Sequence, residues 1–250
     1  MNMVNRVLPL FAALLLGAPA LSLAASGDFP LQSANNDVRN AASLQRGAKY
    51  FVNYCLGCHS AQYVRYNRVA RDLGISEDLL VENLMFTTDT VHDTMTIAMP
   101  GGDAEGWFGT LPPDLSLIAR SRSADYLYTF LKAFYLDEDA VLGTNNKVLS
   151  NTSMPHVLWE LQGIQRPVYR EERNGDEITR VFDGFETVRE GALSEEEYSR
   201  MVRDIVNFLD YIGEPVQVER VAIGIRVIAF LLVFLLIAWL LKREIWKDVK

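Results

Sequence analysis

Tyr54-Cys55-Leu56-Gly57-Cys58-His59-Ser60 is the stretch on which the reading of this 250-residue chain turns. Within it, Cys55, Cys58 and His59 form C-x-x-C-H, the attachment pattern of a c-type haem. On a helical turn, side chains three residues apart share one side. Each thiol can therefore bond one vinyl group of the same porphyrin, with the His59 imidazole under the iron as its fifth ligand. Two other chemistries use C-x-x-C. A thioredoxin-like redox site needs a strand before the motif and a helix after it, whereas here a helical pattern runs up to it. A zinc site would want a second pair of ligands, and the chain holds 2 cysteines and 3 histidines in all. One covalently attached haem c is the cofactor expected.

Upstream, residues 25–36 read as an irregular lead-in. From Asp37, a candidate cap, Ala41, Leu44, Ala48, Phe51 and Cys55 recur at three- and four-residue steps and give one apolar helical face that delivers the chain to the motif. Downstream, Ile75 to Phe86 reads as a helix capped by Ser76. Met95 to Thr110, with Gly101, Gly102 and Gly106, reads as a loop. Leu111-Pro112-Pro113-Asp114-Leu115 reads as a stiff extended element. A short helix is expected over Leu115 to Ala119 and a longer one over Ser123 to Phe134, and Asp137 to Ser153 is polar and turn-rich. Pro167 to Val188 reads as a β-hairpin about Asn174-Gly175. Ser194-Glu195-Glu196-Glu197 is a capping box. It opens a helix whose apolar face is Met201, Ile205, Phe208, Leu209 and Ile212 and which ends at Gly213-Glu214-Pro215. The fold class is mostly α, with a hairpin insertion.

The two ends carry targeting information. Residues 1–24 read as a secretory signal: Arg6, a short apolar run from Leu8 to Leu16, then small residues, with cleavage expected after Ala24. Val221 to Leu241 is near-continuously apolar, interrupted by Arg226. At about 1.5 Å per residue it measures roughly 31 Å, the depth of a bilayer core. Lys242, Arg243, Lys247 and Lys250 follow, and such basic flanks stay cytoplasmic. The organisation expected is a signal peptide over 1–24, a periplasmic domain over 25–219, a single transmembrane anchor over 220–241 in the inner membrane, and a cytoplasmic tail over 242–250. The alternative for the apolar segment is a buried core helix. Charge is unevenly placed: the whole chain is −8, but residues 25–219 carry −13. Such a domain does not suit nucleic acid or anionic lipid; it suits a basic protein partner.

An iron that only passes electrons needs a sixth ligand, and methionine is the usual one. Met1 and Met3 leave with the signal, Met201 lies on a core-facing helix face, and Met85 ends an apolar helix. Met95, Met99 and Met154 remain, the last two each followed by proline. Met99-Pro100 is close to the motif in sequence; Met154-Pro155 comes after the long polar loop. Spacing favours Met154 modestly and leaves Met99 open. His92 and His156 are further iron-ligating residue types.

Taken together, Tyr54 to Ser60, Trp107-Phe108-Gly109, Pro112-Pro113-Asp114-Leu115-Ser116, Arg120-Ser121-Arg122 with Asp125-Tyr126, Met154-Pro155 and the C-terminal anchor resemble the cytochrome c1 family over nearly the whole mature chain. That family supplies the haem subunit of ubiquinol–cytochrome c oxidoreductase. The resemblance implies a class I cytochrome c-like core whose first and last helices cross near Gly47 and Phe51, with Phe208 and Leu209 opposite. It implies Met154 as the sixth ligand, Arg122 as a haem-propionate partner and Tyr126 near the haem. It also implies cytochrome b and a Rieske-type iron–sulfur protein as partners, a soluble cytochrome c as acceptor, and a dimeric complex. On that reading no residue acts as acid, base or nucleophile. A free-standing anchored electron carrier and a haem peroxidase or sensor with an open sixth position are the alternatives.

Overall fold

A computed structural model describes residues 29–174 and 177–248. The expected signal peptide and its cleavage site lie outside the described residues, as does Gly175 of the expected hairpin turn. The first helix, α1 (Ala41–Tyr54), is capped three residues later than expected, by Asn40 rather than Asp37. The Asn40 side chain accepts from the Ser43 N–H at 3.1 Å, whereas the Asp37 carboxylate accepts from the Arg39 backbone N–H and guanidinium. A short strand β1 (Ala61–Arg65) follows the motif, then α2 (Tyr66–Leu73) and α3 (Glu77–Leu84), the latter capped by Ser76 as expected. β1 pairs with β2 (Thr94–Met95), placing buried Met95 opposite Ala61.

The glycine-containing stretch expected as a loop holds a helix, α4 (Gly101–Phe108). Pro100 precedes it in an extended conformation, Asp103 stands in its first turn, Ala104 is buried beneath it, and Gly109 closes it in the left-handed region. These end signals outweigh the entropy cost of three helical glycines. The short helix α5 (Ile118–Arg122) begins three residues after its expected start. α6 (Ala124–Lys132) is capped by the Ser123 hydroxyl. Within the polar stretch, β3 (Phe134–Leu136) pairs antiparallel with β4 (Thr144–Asn146).

One turn of helix, α7 (Trp159–Gln162), leads into the long hairpin β5 (Gly163–Asn174) and β6 (Glu177–Glu190). At its root Gly163 has φ +87°, and a Cβ there would lie 2.3 Å from the Arg189 carbonyl oxygen. Gln165 fixes the root to the core by donating to the carbonyls of Lys132 and Phe134 at 2.9 and 2.7 Å.

The last core helix, α8 (Glu195–Gly213), opens with the capping box of Ser194 and Glu197. It lies across α1, and Gly47 makes that approach possible. A Cβ at Gly47 would sit 2.1 Å from the Asp204 carbonyl oxygen and 2.8 Å from Cβ of Phe208. Phe51 and Phe208, both fully buried, meet with ring centroids 5.5 Å apart. Beside them, buried Asp204 accepts from Ser43 at 2.6 Å and from both arms of Arg46, and Asn207 donates to Ser43 and to the Asp37 carbonyl. Gly47→Ala is expected to destabilise the folded holoprotein by about 3 kcal/mol or more, at the upper end for overpacking, because the obstructing atoms are backbone. Thermal unfolding of wild type and variant measures it; an unchanged midpoint would mean that the two helices are further apart.

α9 (Gln217–Ile245) is 29 residues long, roughly 44 Å at 1.5 Å per residue, and long and apolar enough to cross a membrane. None of it is buried, so it is not a core helix. At its base the Glu214 carboxylate lies between Arg220 and Arg120, and these hydrogen-bonded guanidiniums hold it below the usual carboxylate range. Arg120 belongs to α5, so the turn entering the membrane helix is tied to the element that carries Arg122.

Candidate functional site

Cys55 is the residue that ends α1, its N–H still bonded to the Phe51 carbonyl at 2.8 Å. The turn then tightens: the N–H groups of Cys58 and His59 both reach the Cys55 carbonyl, at 3.0 and 2.9 Å. Leu56 is driven into the core, which leaves the two half-buried thiols, unpaired with each other, on the wall of a cavity. Burial pushes the Cys55 thiol up to about 12, with Cys58 beside it adding to the shift.

The segment after the motif is tied to the proline pair. Leu115 N–H bonds the Ser60 carbonyl at 2.8 Å, and Asp114 accepts from the N–H groups of Gln62 and Ser116 at 2.9 and 2.8 Å. This brings the Pro113 carbonyl to 2.7 Å from Nδ1 of His59. A carbonyl can only accept, so Nδ1 carries the proton and Nε2 keeps its lone pair. Burial holds the His59 imidazole below its ordinary value, against the opposing pull of Pro113 and Asp114, so the ring is neutral at neutral pH. A neutral imidazole with one nitrogen fixed by a carbonyl is the form that ligates a metal.

The cavity measures about 420 Å³, within the range of roughly 300–1,000 Å³ usual for cofactor sites. Cys55, Cys58, His59, Arg122, Tyr126 and Met154 all line it. The Arg122 guanidinium lies 5.6 Å from the centre of the Tyr126 ring. Met154 is half-buried, on the chain segment that runs from β4 to the one-turn helix beginning at Trp159. Met85, Met95 and Met201 are buried in the core, and Met99 lies off the cavity. His92 is exposed and bonded to Asn67. His156 is buried behind the wall, stacked on Phe134 at 4.9 Å, where burial depresses it to about 4.

Other parts of the wall were marked in the sequence as motif or apolar face, or not marked at all. Phe108 comes from α4, the helix read there as a loop. Leu127, Phe130 and Leu131 come from α6 and continue the line of Tyr126 at helical spacing, Tyr126 and Phe130 being stacked 6.2 Å apart. Ile205 and Leu209 come from the face of α8 that the periodicity did mark as apolar. Leu149 to Pro155 contribute seven consecutive residues. Apart from Met154-Pro155, nothing in that polar run advertised a wall; the asparagine hydrogen bonds that shape it are long-range in effect and short in sequence.

The residues fit a covalently held haem: two free thiols, an imidazole with its tautomer set, a thioether, a guanidinium, and a lining that is otherwise apolar apart from Thr110 and the Ser150–Ser153 segment. A model of the cytochrome C1 family matches residues 35–249. The chain is 52% identical over 241 residues to cytochrome c1 of Allochromatium vinosum, covering 96% of this chain and 98% of that one. It is 42% identical over 240 residues to a Nitrosomonas europaea protein named ammonia monooxygenase gamma subunit, covering 96% and 97%. It is 26% identical over 238 residues to cytochrome c1 of Rhodospirillum rubrum, covering 83% and 82%. With the match running from the start of the haem-motif domain through the membrane helix, the chain belongs to the cytochrome c1 family.

Proposed function

We propose that this chain is the membrane-anchored haem subunit of a ubiquinol–cytochrome c oxidoreductase, taking electrons from a Rieske-type iron–sulfur protein and passing them to a soluble cytochrome c. Cytochrome b is its companion in the membrane, in a complex expected to be dimeric. The observation that carries this reading is the convergence of Cys55, Cys58, His59, Arg122, Tyr126 and Met154 on one cavity, in a chain of this family.

When bound, the haem supplies a reversible one-electron step. The Cys55 and Cys58 thiols would hold it, each by adding across one vinyl group to form a thioether. His59, held by the Pro113 carbonyl, would give its iron a nitrogen donor, and Met154 a sulfur donor. A soft thioether favours the reduced, less charged iron. Arg122 offers positive charge to a propionate and rests on Tyr126. The apolar side chains of α6 and α8 exclude water. Residues 1–24 serve as the export signal, α9 anchors the chain in the inner membrane, and the basic tail holds the haem domain on the periplasmic side.

Docking of a basic acceptor follows from the −13 on residues 25–219. Asp103 and Glu105 stand exposed on α4, the helix whose Phe108 lines the cavity, and Glu138 and Asp139 are exposed on the β3–β4 turn. Asp137 is partly engaged by Asn145. The second-order rate of electron transfer to a basic cytochrome is expected to fall as salt rises, because the screening length shrinks from about 10 Å at 0.1 M to about 3 Å at 1 M. A stopped-flow rate that does not change with ionic strength would remove charge steering from the account.

Solubilisation in mild detergent tests the assembly. A multi-span cytochrome b and an iron–sulfur protein are expected to co-purify with this chain. Isolation alone would favour the free-standing carrier, and isolation with monooxygenase subunits would extend the name of the Nitrosomonas relative to this chain.

A further inference from the structure

The connection from β4 to α7 forms one side of the cavity between Leu149 and Pro155, yet it has little regular main-chain bonding of its own. Side chains meet its amides instead. The Asn146 Oδ1 accepts from the N–H groups of Val148 and Leu149 at 2.8 and 3.3 Å. The Asn145 Oδ1 accepts from the N–H groups of Asn146 and Asn151, both at 2.8 Å. Each amide also donates: Asn146 to the Phe130 carbonyl and Asn145 to the Asp137 carboxylate, both at 2.8 Å. The two side chains are buried, Asn146 completely. Asn151, which Asn145 holds, sits in the left-handed region at φ +58°, where the chain turns toward Met154. Phe130, to which Asn146 is tied, also lines the cavity.

A carboxamide is suited to this work because it accepts and donates from one rigid plane. Alanine would leave the N–H groups of Val148 and Leu149 and the carbonyl of Phe130 without these partners, and a segment so short of main-chain bonds has few others to hold its shape.

We propose that Asn145 and Asn146 are positioning residues for the sixth iron ligand: they shape the Leu149–Pro155 segment and fix it against α6, so that Met154 stays on the cavity wall. This rests on the reading of Met154 as that ligand. Neither asparagine touches the cofactor site; both act through the segment that carries the sulfur.

The test uses the purified detergent-solubilised complex carrying Asn146→Ala or Asn145→Ala, with Met154→Leu and Asn207→Ala alongside. Asn207 is an equally buried asparagine at the α1–α8 crossing, away from the cavity wall, and controls for general destabilisation. The readouts are the near-infrared sulfur-to-ferric-iron band, the binding of carbon monoxide by the ferrous haem, and the midpoint potential. Asn146→Ala and Asn145→Ala are expected to weaken the band, admit carbon monoxide and lower the potential with thioether-linked haem retained, while Asn207→Ala keeps all three near wild type. If neither alanine variant accumulates, Asn145→Ser, which retains an acceptor, is expected to show a partly weakened band. A full band and exclusion of carbon monoxide in the asparagine variants, with both changed in Met154→Leu, would overturn the positioning role and leave the ligand reading intact. Equal loss in Asn207→Ala would also overturn it. A full band in Met154→Leu would remove the ligand reading, and the positioning role with it.

Discussion

A chain with both Cys55 and Cys58 replaced by serine is expected to carry no haem through denaturing electrophoresis, and to fail to accumulate in the membrane. Both thiols stand on the same cavity wall, and each is placed to anchor one side of the ring. Serine keeps the size of each side chain but forms no thioether. The consequence reaches the fold, because the side chains facing the cavity are largely apolar. Without the ring, Leu127, Phe130, Leu131, Ile205 and Leu209 would border a void in the middle of the helical core. Those side chains would lose the packing partner that fills the 420 Å³ space, and lost packing of this kind in a core costs enough to unfold a marginally stable domain. Single variants are expected to retain some haem through one thioether. Haem staining of the gel and immunodetection of the chain separate loss of attachment from loss of the protein. Staining in the double variant would refute thioether attachment.

Met154→Leu has the second largest expected effect, this time on redox chemistry rather than on folding. Leucine conserves most of the apolar volume, so the wall should persist. The sulfur donor is removed, and the iron becomes five-coordinate or takes a weaker ligand. Axial ligands set haem potentials over about 0.8 V. A fall of about 0.2 V is a reasonable share of that range, and at 59 mV per decade it is more than three decades in the equilibrium for accepting an electron. Turnover of the complex should fall with it. Met99→Leu serves as the counterpart: Met99 lies closer to the motif in sequence but off the cavity, so spectrum and potential should stay near wild type. Survival of the sulfur-to-iron band in Met154→Leu together with its loss in Met99→Leu would reverse the assignment.

How much of this was legible in the sequence differed from element to element, for physical reasons. C-x-x-C-H encodes its chemistry locally, since two thiols and an imidazole on one turn need no distant information. Ser76 and Ser194 were readable as caps because a cap is a contact between residues three apart. The Gly47 crossing came from the family resemblance; the structure supplies its cause, the backbone of Asp204 lying where a Cβ would be. Asp37 misled because its carboxylate is consumed by Arg39, a local competition that a preference for acidic caps does not register. α4 was hidden by three glycines whose propensity cost is offset at its ends by Pro100 and Gly109. The wall from Leu149 to Ser153 was hidden most thoroughly. Its shape depends on two buried asparagines, and buried polar residues in a polar run resemble solvated ones until their partners are seen. The apolar wall on α6 and α8 lay between these extremes: periodicity marks a face as buried but does not say whether protein or cofactor covers it.

The central claim is that this chain holds one haem c through Cys55 and Cys58, with iron between His59 and Met154. The pyridine haemochrome spectrum of the purified complex, taken on the chain after extraction with acidified acetone, tests it most directly. The account predicts that this chain keeps its haem through the extraction, gives the spectrum of a thioether-linked haem at one per chain, and shows the sulfur-to-iron band in the ferric state before extraction. Haem that leaves with the solvent and gives the spectrum of a ring with intact vinyl groups would contradict it.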